Sequence, residues 1–542
     1  MSHEISRRSL VRGGLAAAVL VGIGTPLLAG CTATATPGGT AGAGATGALV
    51  LPTYVRYNGV KPDLAGNKQG VMDAFLKYPA SPVKSVSKRP GDGKPITGMT
   101  QTYSPIPPGV DQNPYWQELN KRLGSDWKPS LASPGDYAQK FATTVAGNTL
   151  PDMFNLGAVT VPQLDGFLAA KAVDLTPYLS GDAVKKYPNL ANLPTTSWKG
   201  TVYNNKIMGI PIPRGVAGAG ALYYRSDIFE SEGISTKPSS FEEWFALCKQ
   251  LTAPRNNKWA LAGVPIDYLR QMHKIPLGWS LKNGKLTSAN EHPRQKDALE
   301  AGRKLVTAGV VEPSTFSITG TEFKTWFLGG RVAMNWDALI AWGQYYGSST
   351  DPNLAINVLS VPAFSGSGSG SAWLGSASNS ITAINKGSKD RVETLLEVMN
   401  YFAAPFGTEE HRFLHYGVAG VDYVLKGTDP VMTARGDAES NLGTRYMADQ
   451  PGAVNIPGNE QATRNYYDAQ KRLVATGVRN PTDGVYSATQ ASVGATIGGA
   501  LVRLQGDILQ GRAPVSAWDA GVKQWKSGGG DKIRDELQKA LS

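Results

Sequence analysis

Between Ile96 and Leu156 the spacing of apolar residues switches back and forth between that of a strand and that of a helix, which limits the chain to one broad class of fold. Ile96–Tyr103 alternates as a strand does before a proline-rich loop. Tyr115–Leu123 and Tyr137–Val145 carry helical spacing, and Leu150–Leu156 gives a second strand. Strands separated by helices imply a mostly parallel sheet with helices on its faces, because parallel neighbours need a crossover connection. At 542 residues the chain exceeds the roughly 250 to 300 at which a single core stops growing, so an α/β protein of two or more lobes is expected.

Further along, Thr201–Pro211 reads as a hairpin turning at Asn204-Asn205, and Ala221–Tyr224 as a strand. Phe241, Trp244, Phe245, Cys248 and Leu251 share one helical face, and Ser240 with Glu243 forms a capping box at its start. Cys248 is therefore expected to be a buried core thiol. Helices are expected near 295 to 308 and 391 to 403, with a Gly/Ser loop at 365 to 371 between them; no internal repeat is evident. Leu51 to Pro95, rich in proline, glycine and lysine, reads as an extended segment packed on the main body, with compact structure beginning near Ile96.

The N-terminus has the order of an export leader: Ser6-Arg7-Arg8-Ser9-Leu10-Val11-Arg12, then a mainly apolar run from Leu15 to Ala29. That run is too short to span a bilayer core of about 30 Å comfortably, which favours cleavage over a membrane helix. The paired arginines suggest the twin-arginine route, with the general route left open. Leu28-Ala29-Gly30-Cys31 resembles the bacterial lipobox, in which the cysteine is lipidated and becomes the new N-terminus. An Ala/Gly-rich signal with a chance cysteine is the plainer alternative. On the lipobox reading, residues 1–31 are the signal peptide, palmitate-type acyl chains on Cys31 hold the protein on the outer face of the membrane, and 32–50 is a flexible Ala/Gly/Thr linker.

The formal net charge is +11, with Arg7, Arg8 and Arg12 against Glu4 in the leader. The remaining basic residues are scattered without a stripe, which argues against nucleic acid as a partner. Cys248 alone follows Cys31, so the mature chain has no intrachain disulfide. No Gly-x-Ser-x-Gly elbow, His-Glu-x-x-His helix or Cys/His cluster is present. His411 and His415 share a helical face and, lacking a third ligand, read as surface residues. Two carboxylates suffice for a glycosidase, so that class stays open. Aromatics are concentrated in expected loops and strand ends: Tyr103, Tyr115, Trp116, Trp279, Trp336, Trp342, Tyr345, Tyr346, Trp373, Tyr416 and Tyr423. A flat ring matches the C–H face of a sugar, although aromatics also fill cores.

Five segments in order carry a likeness: Ala146–Asp152; Gly209–Pro211 with Leu222–Arg225; Phe323–Met334; Gly407–Glu410 with Tyr416–Tyr423; and Trp525 with Gly528–Glu536. By these, from about Leu51 to the C-terminus, the chain resembles the family 1 extracellular solute-binding lipoproteins of carbohydrate ABC importers, particularly the long LipO-type, alginate-oligosaccharide-binding branch. The resemblance implies the two-lobed, type II periplasmic-binding-protein-like α/β fold, with a hinge and a ligand cleft at the lobe interface. It places 51–214 plus 335–385 in one lobe and 215–334 plus 386–542 in the other. It implies Tyr103, Asn155, Arg214, Trp279, Asn335, Trp336 and Asp337 as cleft residues. The calcium loop of the alginate-binding relatives is replaced here by Thr252–Lys258, without a carboxylate, so no metal is expected.

The implied function is capture of an oligosaccharide or glycoside by a monomeric, anchored receptor that closes on its ligand and docks on ABC permease subunits, with no cofactor. A binding protein for a non-sugar solute such as a peptide, and a secreted glycan-degrading enzyme, are the alternatives. The basic body and Arg214 make a uronate-containing ligand conceivable, though arginine also bonds neutral hydroxyls.

Overall fold

The structure, a computed structural model, describes residues 49–157, 159–318 and 320–541. The leader, Cys31 and nearly all of the 32–50 linker lie outside the described residues. The chain lays down β1 (Ile96–Gln101), β2 (Trp127–Ala132), β3 (Met153–Asn155) and β4 (Ile210–Pro213). It then crosses over for β5 (Gly220–Arg225), β6 (Trp259–Leu261), β7 (Val332–Ala338) and β8 (Ile356–Val358), and returns for β9 (Ser378–Ile384). The first sheet is ordered β2-β1-β3-β9-β4 and the second β8-β5-β7-β6.

In the first sheet β1 is parallel to β2 and β3, while the returning β9 is antiparallel to β3 and β4. Both faces are covered, so successive residues of one strand enter different cores. Met99, Phe154 and Ala383 pack with Tyr137 and Phe141 of helix Pro134–Ala146. Ile96, Met153 and Ile384 pack with Tyr115 and Leu119 of helix Pro114–Leu123 and with Leu395 and Met399 of helix Val392–Phe402. Helix Pro134–Ala146 starts where the sequence allows it: the Ser133 hydroxyl accepts from the Asp136 N–H, and Pro134 occupies the first turn.

Strand β2 escapes sequence reading because Pro129 interrupts it. It is an edge strand, the one place where a residue without an N–H leaves no ladder bond unmade. The hairpin at Val202–Tyr203 and Lys206–Ile207 forms as expected, with Asn204 and Asn205 at φ of 50° and 60°, the left-handed pair that a tight two-residue turn requires. The capping box is offset: Ser240 Oγ accepts from the Glu243 N–H at 3.2 Å, but the Glu243 carboxylate takes the N–H of Ser239 at 2.8 Å. Cys248 is fully buried.

The expected lobe boundaries need correction. Asn335–Ala338 pair with β5 in the second sheet, as does β8, so the chain rejoins the first sheet only at β9. Helices Val392–Phe402 and Glu409–Tyr416, with Leu442 and Met447, then pack on the first lobe's core rather than the second. Compact structure also begins before Ile96. Leu49 and Leu51 pack on the first core; Leu64, Met72 and Ala74 on the second; Val86 again on the first. Tyr467 Oη donates to Ala65 O at 2.7 Å and the Met72 N–H to Gln470 Oε1 at 3.1 Å, fixing this excursion to the second lobe.

The passages between lobes are packed backbone to backbone. The Arg214 and Gly215 N–H groups donate to Ala377 O and Ser376 O at 3.1 and 3.0 Å, and Ala372–Trp373 pairs in parallel with Gly477–Val478. A Cβ on Gly375 would lie 2.5 Å from the Gly215 carbonyl oxygen, so glycine alone fits there. A further core at the C-terminus gathers Trp279 and Leu286 of a hairpin with Trp518, Trp525 and Ile533 of the last helices. No helix among the described residues is long and apolar enough to cross a membrane.

Candidate functional site

The carboxyl ends of β1, β3 and β4 meet the start of β9 beside the interlobe passages, the position at which open α/β sheets gather ligands. Tyr103 follows β1 and stands 61% exposed, its ring centroid 5.9 Å from that of Tyr446. Tyr446 lies on the short helix Thr444–Met447, which packs across the ends of β1, β3, β4 and β9. Arg214, at the end of β4, donates from Nη1 to Asp449 Oδ2 at 2.9 Å and to Pro213 O at 2.8 Å. Arg445 is 3.7 Å from the same carboxylate and is half-exposed. Burial raises the Tyr446 phenol above its ordinary range, with the Arg214 and Arg445 guanidiniums opposing, so it stays protonated and able to donate.

Asn155 braces this arrangement from beneath. It is fully buried; its amide donates to Tyr446 O at 2.7 Å, Thr382 Oγ1 at 3.0 Å and Ser380 Oγ at 3.1 Å, and its oxygen accepts from the Gly157 N–H at 2.7 Å. The expectation that Asn155 faces the cleft is thereby corrected: its hydrogen-bonding capacity is used internally. Next to it Gln101, 1% exposed, keeps Oε1 without a partner among the described residues. Beside Ser380 opens a cavity of about 220 Å³, lined by Leu156, Tyr203, Ser378 and Asp483 among others.

Other expected cleft residues fall elsewhere. Trp279 is buried in the C-terminal core, its centroid 6.1 Å from that of Trp525. Asn335 is 4% exposed and donates to Tyr345 Oη at 2.7 Å, while that hydroxyl donates to Asp337 Oδ2 at 2.9 Å. Lys324 lies 3.3 Å from Asp337 as well, so these side chains fasten helix Ala341–Ser348 to β7. Trp336 is half-buried on the same strand, packed over Gly220, where a Cβ would lie 2.4 Å from the ring. Of the aromatics read from the sequence, Tyr115, Trp342 and Tyr345 are wholly buried, and Tyr103 alone is highly exposed.

His411 is not at the surface. It is 2% exposed and stacks on His415 with centroids 4.0 Å apart, its ring nitrogens within 3.0 Å of Tyr78 Oη and 2.8 Å of Gln450 Nε2. Burial, reinforced by the positive charge of Arg445, pushes its pKa down to about 3, and His415 shifts the same way. Tyr446, Arg445 and Asp449 escaped sequence reasoning because a four-residue helix has no periodicity to read.

Two α/β sheets on separate cores, joined by packed crossing segments with a polar site at the switch point, are the architecture of a two-lobed periplasmic-binding-protein-like fold. The chain belongs to the bacterial extracellular solute-binding protein family, whose sequence model matches residues 101–407. It is 22% identical over 475 residues to lipoprotein LipO of Bacillus subtilis (strain 168), covering 83% of this chain and 92% of that protein. It is also 22% identical over 384 residues to the polygalacturonan/rhamnogalacturonan-binding protein YtcQ of the same organism, covering 67% and 75% respectively. In fold it is similar to alginate-binding protein AlgQ2, crystallised without calcium ion, at a TM-score of 0.59 and 15% identity, covering 85% of this chain and 99% of that one.

Proposed function

We propose that this protein captures an oligosaccharide or glycoside between its lobes and delivers it to an ABC importer, without chemistry of its own, while lipid chains on Cys31 hold it at the outer face of the membrane. The observation that carries the reading is the exposed Tyr103 ring set against Tyr446 beside Arg445 and Asp449. A ring offers the C–H face of a sugar a flat apolar partner, and the adjacent charged groups bond its hydroxyls. Trp336 on β7 is the corresponding half-buried ring of the second lobe. YtcQ and AlgQ2 are named for polysaccharide ligands and LipO as a lipoprotein, which favours the same reading.

Calorimetry of the mature chain against a panel of oligosaccharides tests this. At least one sugar should bind, and Tyr103→Ala should weaken it about tenfold, the equivalent of roughly 1.4 kcal/mol of ring contact. A flat response to every sugar, with a peptide or other solute that does bind, would refute it. Cys31→Ser should release the protein from the membrane with affinity unchanged; retention at the membrane would place the anchor elsewhere.

A further inference from the structure

We infer that the cavity beside Ser380 is a subsite for one uncharged, hydroxyl-rich sugar ring and that Asp483 sets that choice; the inference rests on the binding function proposed above. At about 220 Å³ the cavity lies below the roughly 300 to 1,000 Å³ of a drug-sized site, which suits a single ring rather than a chain. Leu156, Tyr203 and Ile381 supply an apolar wall for the ring's C–H face. Thr196, Ser378 and Asp483 supply hydroxyl and carboxylate groups for its edge.

Charge decides the class. Among the described residues, Asp483 is the one ionisable carboxylate of the lining, and no lysine or arginine lines the cavity. Asp483 Oδ2 accepts from the Ala377 N–H at 2.9 Å, which fixes the carboxylate against an interlobe passage and leaves Oδ1 to accept from a ligand hydroxyl. A uronate carboxylate there would meet a like charge with no cation to compensate. Arg214, the cation that suggests an acidic ligand from sequence, is committed to Asp449, with its side chain 12% exposed.

Gly200 gives a clean test. It lines the cavity, and a Cβ there would have Ser378 Cβ at 3.9 Å as its nearest neighbour, an ordinary contact, so the position has room for a Cβ and Gly200→Leu is expected to take up cavity volume. Affinities would be measured by calorimetry on the mature chain, using neutral mannan-, fructan- and galactan-derived oligosaccharides of two to four units and oligogalacturonides of the same lengths. The wild type should favour a neutral ligand; Gly200→Leu should weaken it at least tenfold with an unchanged melting temperature; Asp483→Asn, which keeps an acceptor for Ala377, should improve the oligogalacturonides about tenfold relative to it. Should Gly200→Leu fold poorly, Thr196→Val removes one lining hydroxyl at little change of volume and should weaken the same ligand severalfold. Binding by the wild type that neither Gly200→Leu nor Thr196→Val alters would overturn the subsite and leave the binding function standing. A wild type that prefers oligogalacturonides, or no relative gain with Asp483→Asn, would overturn the role of Asp483. Absence of binding to every sugar would overturn the binding function and this inference with it.

Discussion

Replacing Asn155 with alanine separates a brace from a ligand contact. The side chain donates to Tyr446 O, Thr382 Oγ1 and Ser380 Oγ and accepts from the Gly157 N–H, all away from solvent. Its two N–H groups and one engaged oxygen amount to about three net hydrogen bonds at roughly 1 kcal/mol each, so the loss is about 3 kcal/mol. Tyr446 O keeps a donor in Thr382 Oγ1 at 2.8 Å, which limits the damage there, whereas the Gly157 N–H is left without its partner. For a chain this long, with an unfolding entropy of roughly 2.1 cal/mol/K per residue, that corresponds to a fall in melting temperature of about 3 °C. Urea unfolding and calorimetry on one preparation would read both quantities. The expected result is reduced stability with sugar affinity weakened severalfold at most, through the loosened Tyr446 helix. Unchanged stability with abolished binding would show that Asn155 touches ligand directly, and the reasoning would fail.

Trp279→Ala should cost about 3 to 5 kcal/mol in urea unfolding and leave sugar affinity unchanged, because the ring fills the C-terminal core beside Trp525; lost affinity at unchanged stability would return it to the cleft. His411 makes stability depend on pH. Its folded pKa of about 3 lies below the unfolded value near 6.5, so the unfolded chain takes up the proton first. The contribution is fully present above about pH 6.5 and declines as pH falls toward 3, by up to about 1.4 kcal/mol per pH unit, or about 2 kcal/mol between 6.5 and 5. His411→Gln should reduce that slope in unfolding experiments at pH 7, 6 and 5, leaving the share of His415, which is shifted the same way; parallel profiles for variant and wild type would refute the assignment.

Much of the fold was legible because local pattern and tertiary role agree. The alternation at Ile96–Gln101, the Asn204-Asn205 turn and the apolar face around Cys248 each formed as read. Strand β2 was hidden by Pro129, whose acceptability depends on being at a sheet edge, a fact no local window contains. The lobe boundaries failed for the same kind of reason: whether Asn335–Ala338 joins the first or the second sheet is settled by pairing with β5, more than a hundred residues earlier. The positions of Tyr103 and Arg214 beyond strand ends are legible because each follows a recognisable strand. For Asn155 and Asn335, sequence does not reveal whether an amide spends its bonds on ligand or on neighbouring protein groups, and here they go to Tyr446 O and Tyr345 Oη. His411 looked like a surface residue until Tyr78, from the extended N-terminal segment, closed over it.

That extended segment changes what the hinge is able to do. Two passages join the lobes through it, one between Tyr57 and Leu64 and one between Phe75 and Tyr78, beside those at 214–219, 359–377 and 448–459. A joint made of one covalent track permits rotation about any axis; side-by-side tracks of fixed length resist twist and shear and leave bending as the soft motion. On the binding function proposed above, closure would therefore follow a single arc, and the two lobes would meet a ligand in the same relative orientation on every cycle.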